Sequence, residues 1–287
     1  MRAFVLTGGG SLGAVHAGML LALYEQGIEP DLIVGSSVGA VNGAFIASRP
    51  QTSETAKALG DVWRGLRRAD VFPMDLVAGL LGFSGRRAHM VPNRGLRRLL
   101  ETHTEFENLE DAQIPLHVIA TDAANGQELS FSSGGAVQAV LASAAIPGIF
   151  PPVEWKGRKL IDGGVSNYAP ISHALDAGAD TIYVLASGTA CGLRESPRGA
   201  IPLILHSMSF LVARRLVVEI EHLQDRATFV VLPPPCPLDV LPSDFTQAAA
   251  LIENSYSTAK SFLGGVQDGV SPPIPIHFMR MGPHTKQ

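Results

Sequence analysis

The sequence predicts an α/β domain, a mostly parallel sheet covered by helices. Two observations carry that expectation. Apolar strand-like runs alternate with helix-like segments along the chain, the βαβα order that a parallel sheet needs. The first two runs, residues 3–6 and 32–34, each lead into a glycine-rich turn with a helical pattern behind it. Such a turn exposes side chains and backbone at the carboxyl edge of a sheet.

In chain order, residues 2–7 read as a strand, followed by the turn Gly8-Gly9-Gly10-Ser11-Leu12-Gly13. Residues 14–26 then read as a helix, with Val15, Met19, Leu20 and Leu23 at helical spacing. A strand at 32–34 runs into Gly35-Ser36-Ser37-Val38-Gly39, and residues 38–48 form a helix of small residues suited to close packing on a sheet. Further strands are expected at 116–121, 127–131, 181–186 and 228–232, and further helices at 52–66, 94–103, 136–143, 171–177 and 201–224. There is no internal repeat. The chain, 1–287, reads as a single domain, with its motifs within 2–186 and residues 187–287 as the C-terminal part.

Bulk properties narrow the function classes. The chain is 46% hydrophobic and 17% charged, with a mean hydropathy of +0.20 and a net charge of −4. That charge supplies no field for nucleic acid, so no nucleic-acid partner is expected. Two cysteines, Cys191 and Cys236, make no disulfide framework and fit a reducing compartment. The N-terminus lacks the pattern of a signal peptide. The most apolar long stretch, residues 136–153, carries Gln138 and three prolines and does not span a bilayer. A cytoplasmic protein is expected, with at most peripheral membrane contact.

The interval 64–98 stands apart, with eight arginines against Asp70 and Asp75 and an apolar segment, 71–83, between the arginine clusters. It reads as a cap over a pocket or a lipid-facing insertion. The alternative is an excursion whose apolar residues pack on the core, which is the commoner fate of such stripes.

Ser37 is the first chemical candidate. A serine hydroxyl needs an activating base, and the Gly-x-Ser-x-Gly turn between strand and helix exposes it while Gly35 and Gly39 relieve backbone crowding. The N–H of Val38 faces the place where an oxyanion would form. The first turn adds bare N–H groups from Gly8, Gly9, Gly10 and Ser11, with Gly13 closing it. Gly8-x-Gly10-x-x-Gly13 also fits the dinucleotide fingerprint, but the second strand ends in Gly35-Ser36-Ser37 instead of the required acid. None of the nine histidines sits in a catalytic-loop setting; His16, for one, lies on the first helix. The better base is Asp162, which follows an apolar run and precedes Gly163 and Gly164 in an open turn. Asp122, at the end of the 116–121 strand, is a reserve carboxylate, more naturally a turn or support residue.

These motifs, in this order, resemble those of the patatin-like phospholipases. So do the stretch Ala142-Ser143-Ala144-Ala145-Ile146-Pro147-Gly148-Ile149-Phe150-Pro151-Pro152 and, after Asp162, Asn167 and Pro170. The resemblance covers about residues 2–186. It implies a three-layer α/β/α sandwich, hydrolysis of lipid acyl esters, and a Ser37–Asp162 dyad in place of a triad. It also implies an oxyanion hole around Gly9, Gly10 and Ser11, no metal, and no organic cofactor. Leu12 departs from the family, whose bacterial members often carry Lys or Arg there, which puts the handling of an anionic head group in question. The alternative is a lipid-binding or regulatory protein that keeps the fold with little chemistry.

Overall fold

The computed structural model describes residues 1–73, 88–189, 193, 195–236 and 238–265. Eight strands form one mixed, mostly parallel sheet: β1 Arg2–Leu6, β2 Leu32–Ser36, β3 Leu116–Asp122, β4 Glu128–Phe131, β5 Val153–Trp155, β6 Arg158–Asp162, β7 Thr181–Leu185 and β8 Thr228–Leu232. The order is β5-β6-β3-β2-β1-β7-β8, with β4 also paired to β3. The β1–β2, β2–β3, β1–β7 and β7–β8 pairs are parallel, and the pairs involving β4, β5 and β6 are antiparallel.

The helices are α1 Val15–Glu25, α2 Val38–Ala47, α3 Ser53–Gly65, the single turn α4 Arg68–Val71, α5 Arg94–His103, α6 Ala136–Ser143, α7 Ile171–Asp176, α8 Ala200–Leu223 and α9 Ala248–Gly264. Strand residues alternate between two cores, because successive side chains leave a strand on opposite faces. Phe4, Leu6 and Ile33 join the core beneath α1, α2, α3, α5, α6 and α9. Ala3, Val5, Leu32 and Val34 join the core beneath α7 and α8. The three layers expected for an α/β/α sandwich are present. Both faces of the central strands are buried, as their nearly unbroken apolar runs require.

The expected strands and helices match to within about a residue at most ends. Besides the single-turn α4, two features were not anticipated. One is the β5–β6 hairpin, which turns through Lys156 and Gly157, both at positive φ. The other is α9, which packs so closely on α1 that a Cβ on Gly18 would collide with the Ile252 carbonyl. Within the interval 64–98, residues 74–87, including Arg86 and Arg87, lie outside the described residues. Its described ends pack on the main core through Val71 and Leu96.

Candidate active site

The parallel register brings the ends of β1 and β2 side by side, Leu6 opposite Gly35. The chain turns sharply there, and Ser37 takes φ 54° and ψ −125° between the end of β2 and the first residue of α2. A non-glycine residue at positive φ is strained. Space is equally tight beside it, since a Cβ on Gly39 would run into the Leu6 carbonyl. Two groups hold the elbow: the Ser37 N–H donates to Ser143 Oγ at 2.9 Å, and the Ser37 carbonyl accepts from the Ala40 amide at 2.9 Å.

The antiparallel β6 delivers the carboxylate. Asp162 pairs with Ala120 of β3, its N–H donates to the Ala145 carbonyl at 3.0 Å, and its carbonyl accepts from Thr121 Oγ1 at 2.9 Å. Three backbone-level anchors thus fix a side chain far from Ser37 in sequence. Ser37 Oγ donates to Asp162 Oδ2 at 2.6 Å, and Gly164 N–H donates to Oδ1 at 2.8 Å. Burial pushes the Asp162 carboxyl up to about 6, against the pull of the Ser37 and Gly164 hydrogen bonds. Asp122 is placed elsewhere: its carboxylate accepts from the Ala124 amide and faces Arg158.

The glycine turn of 8–13 does not offer all its amides. Gly8 N–H donates to the Tyr168 carbonyl at 3.2 Å and Ser11 N–H to the Pro242 carbonyl at 2.8 Å, so the expectation that these two face an oxyanion is corrected. Each is taken by a neighbouring segment that the turn needs as an anchor, and Ser11 Oγ adds a bond to the Leu241 carbonyl. The N–H groups of Gly9, Gly10 and Val38 have no hydrogen-bond acceptor among the described residues. Gly9 and Gly10 both take positive φ, and a Cβ on Gly10 would lie 2.5 Å from the Pro242 carbonyl oxygen.

Behind this turn runs a buried polar chain. The indole N–H of Trp63 donates to Asn42 Oδ1 at 3.1 Å; an indole can only donate, so the Asn42 amide orientation follows. Asn42 Nδ2 therefore donates to the Gly13 carbonyl at 2.9 Å and to His16 Nδ1 at 3.0 Å. His16 is then a neutral imidazole whose Nε2–H faces Ser187 Oγ at 3.1 Å. Burial pushes its pKa down to about 3, with the Leu185 backbone opposing. Ser187 bonds Thr7, and Thr7 Oγ1 donates to the Gly8 carbonyl at 3.2 Å. The Gly8 carbonyl and Gly9 N–H share one peptide plane, so fixing the first aims the second. The His16 ring is spent on Asn42 and Ser187 and bonds neither Ser37 nor Asp162.

Two cavities meet at Ser37. One is an open cleft of about 740 Å³ walled by Gly9, Gly10, Ile146, Tyr168, Met208 and Pro242, with Asp162 and Arg68 as its charged side chains among the described residues. The other is a narrow apolar pocket between α2, α3 and α5, lined by Val41, Phe45, Leu59, Trp63, Leu96 and Leu100. Ser143, Asn42, Ser187 and Arg68 were not singled out from the sequence. Ser143 carried a signal there as part of the 142–152 stretch, and Arg68 as one of the eight arginines of the interval 64–98.

A family model described as "Patatin-like phospholipase" matches residues 4–175. The protein named "Lysophospholipase nte1" of Aspergillus terreus is 29% identical over 192 residues, covering 64% of this chain and 12% of that protein. "Patatin-like phospholipase domain-containing protein 6" of Mus musculus is 29% identical over 189 residues, covering 65% of this chain and 13% of that protein. The chain thus spans about an eighth of the length of these relatives. The crystal structure of VipD from Legionella pneumophila aligns over 92% of this chain and 66% of that one, at 15% identity and a TM-score of 0.49.

Proposed function

Since this chain belongs to the patatin-like phospholipase family, we propose that it hydrolyses lipid acyl esters through a Ser37–Asp162 dyad. The observation that carries the reading is the 2.6 Å hydrogen bond from Ser37 Oγ to a buried Asp162 carboxylate, at the junction of an open, mostly apolar cleft and a narrow apolar pocket. Asp162 takes the hydroxyl proton as Ser37 Oγ attacks the ester carbonyl carbon. The resulting oxyanion is held by the N–H groups of Gly9, Gly10 and Val38, the free amides around the elbow. Asp162 returns the proton to the leaving alcohol, leaving an acyl-enzyme. It then takes a proton from the water that releases the fatty acid, and gives that proton back to Ser37 Oγ.

The apolar pocket takes the acyl chain and the open cleft takes the alcohol part. Leu12 leaves the glycine turn without a cation, and Arg68 on α4 is the cation that lines the cleft among the described residues. That favours an ester whose alcohol carries a phosphate, such as a lysophospholipid. A fluorophosphonate probe tests the reading. Labelling of the wild-type chain that disappears in Ser37→Ala supports it, and labelling that persists in Ser37→Ala, or never occurs, contradicts it.

A further inference from the structure

Seven large apolar side chains are exposed among the described residues, and five of them lie on α8: Leu203, Ile204, Met208, Leu211 and Val218. Leu211 is 73% and Ile204 57% exposed, so most of each side chain is left uncovered by the described residues. Positions 204, 208, 211 and 218 recur at helical spacing and share one face. The opposite face is already spent, with Leu216, Val217, Ile220 and Leu223 in the core beneath the sheet. The helix is therefore apolar on two sides, and one of them faces water. A contiguous apolar patch of this kind marks a contact surface.

Three observations choose the occupant. The patch is continuous with the catalytic cleft, because Met208 belongs to both, as does Val165, a sixth exposed apolar residue one turn beyond Asp162. No charged residue occurs between Arg198 and Arg214, so the half of α8 beside the cleft presents uncharged surface only. Arg214 borders that half, exposed and without an ion-pair partner among the described residues. An uncharged apolar face with a cation at its rim matches the acyl boundary and phosphate layer of a lipid surface.

We propose that the cleft-side half of α8 docks this protein on a lipid surface, with Leu203, Ile204, Met208 and Leu211 entering the acyl boundary and the cleft mouth turned toward the lipid. The occupant, though not the exposed face, rests on the lipid-hydrolase reading above. Because insertion is apolar and the net charge is −4, binding is expected to survive salt that would abolish attraction to exposed arginines.

The test is co-sedimentation of the full chain with zwitterionic phosphatidylcholine vesicles at about 0.1 M and about 0.5 M salt, where the Debye length shortens from about 10 Å. The wild type should pellet equally at both. The double variant Ile204→Glu with Leu211→Glu should bind on the order of tenfold or more weakly, having lost two large apolar contacts. It should keep wild-type turnover of a short soluble ester and wild-type labelling by the fluorophosphonate probe. Leu211→Trp supplies a second readout, an emission blue-shift on adding vesicles relative to wild type. A wild type that stays in the supernatant, a double variant that pellets like wild type, a Leu211→Trp spectrum indifferent to vesicles, or a wild-type dimer that the double variant dissolves would each overturn the proposal. Loss of probe labelling in the wild type would instead strike the hydrolase reading, and vesicle binding is measured independently of it.

Discussion

Ser143 Oγ accepts the Ser37 N–H at 2.9 Å, and both residues are buried. The bond ties the C-terminal end of α6 to the one residue whose backbone the elbow strains, at φ 54°. Strain of this kind persists only where the surroundings over-determine it.

Ser143→Ala should therefore cost about 1–3 kcal/mol of stability, the penalty for a buried donor left unpaired. It should also slow ester turnover by on the order of 10²-fold, as Ser37 Oγ shifts from its attacking position. Thermal melts and turnover of a soluble ester check both. A variant with wild-type turnover would make Ser143 a packing residue.

The strands of the parallel core were legible because each is a nearly unbroken apolar run, buried on both faces. The elbow was legible because Gly35, Ser37 and Gly39 at that spacing answer a steric need, seen in the approach of Gly39 to the Leu6 carbonyl. The β5–β6 hairpin was not legible, since Val153-Glu154-Trp155 is too short to show an alternation and its turn relies on positive φ at Lys156. Helix α9 was hidden because its contact with α1 depends on the absence of a side chain at Gly18, which no hydrophobic pattern reveals. The spent amides of Gly8 and Ser11 depend on Tyr168 and Pro242, partners far along the chain. The His16–Asn42–Ser187 chain was invisible for the same reason.

Asp162 should set the pH dependence of turnover. As a base it must be ionised, so with its pKa pushed up to about 6 by burial, kcat/KM should rise through about pH 6 and level off above it. Stability runs the other way. A carboxyl whose folded-state pKa is raised stabilises the fold below its ordinary value of 3.8, and that contribution is lost as pH rises through about 6. At roughly 1.4 kcal/mol per pH unit between the two values, ionised Asp162 costs the fold on the order of 3 kcal/mol at neutral pH. Asp162→Asn should melt higher than wild type at neutral pH, with the difference closing toward pH 4 (about the ordinary carboxyl value). Equal melting at both pH values would contradict the buried-charge account.

His16 has the opposite signature. Burial depresses its pKa from 6.5 to about 3, so it stabilises the fold while neutral. That stability is lost as pH falls below the unfolded value toward about 3. Acid unfolding should be less steep in His16→Gln, whereas the inflection in turnover near about 6 should stay where Asp162 puts it. An inflection that moves with His16→Gln would bring the histidine into the chemistry.

Arg68 should act on substrate choice rather than on the chemical step. Arg68→Gln is expected to lower kcat/KM for a lysophospholipid by on the order of tenfold, the scale of one charge-assisted hydrogen bond. A monoacylglycerol with the same acyl chain should be hydrolysed as before. Parallel losses on both substrates would remove Arg68 from head-group recognition.

The most direct test of the central claim is ester turnover by Asp162→Asn beside individual His→Ala variants, each checked for folding. The dyad predicts that Asp162→Asn, with its shape kept and its proton acceptor gone, is as inactive as Ser37→Ala while remaining folded. It also predicts that no histidine variant falls so far, His16→Ala included. A nearly active Asp162→Asn, or one folded His→Ala variant as dead as Ser37→Ala, would contradict the dyad and return the site to triad chemistry.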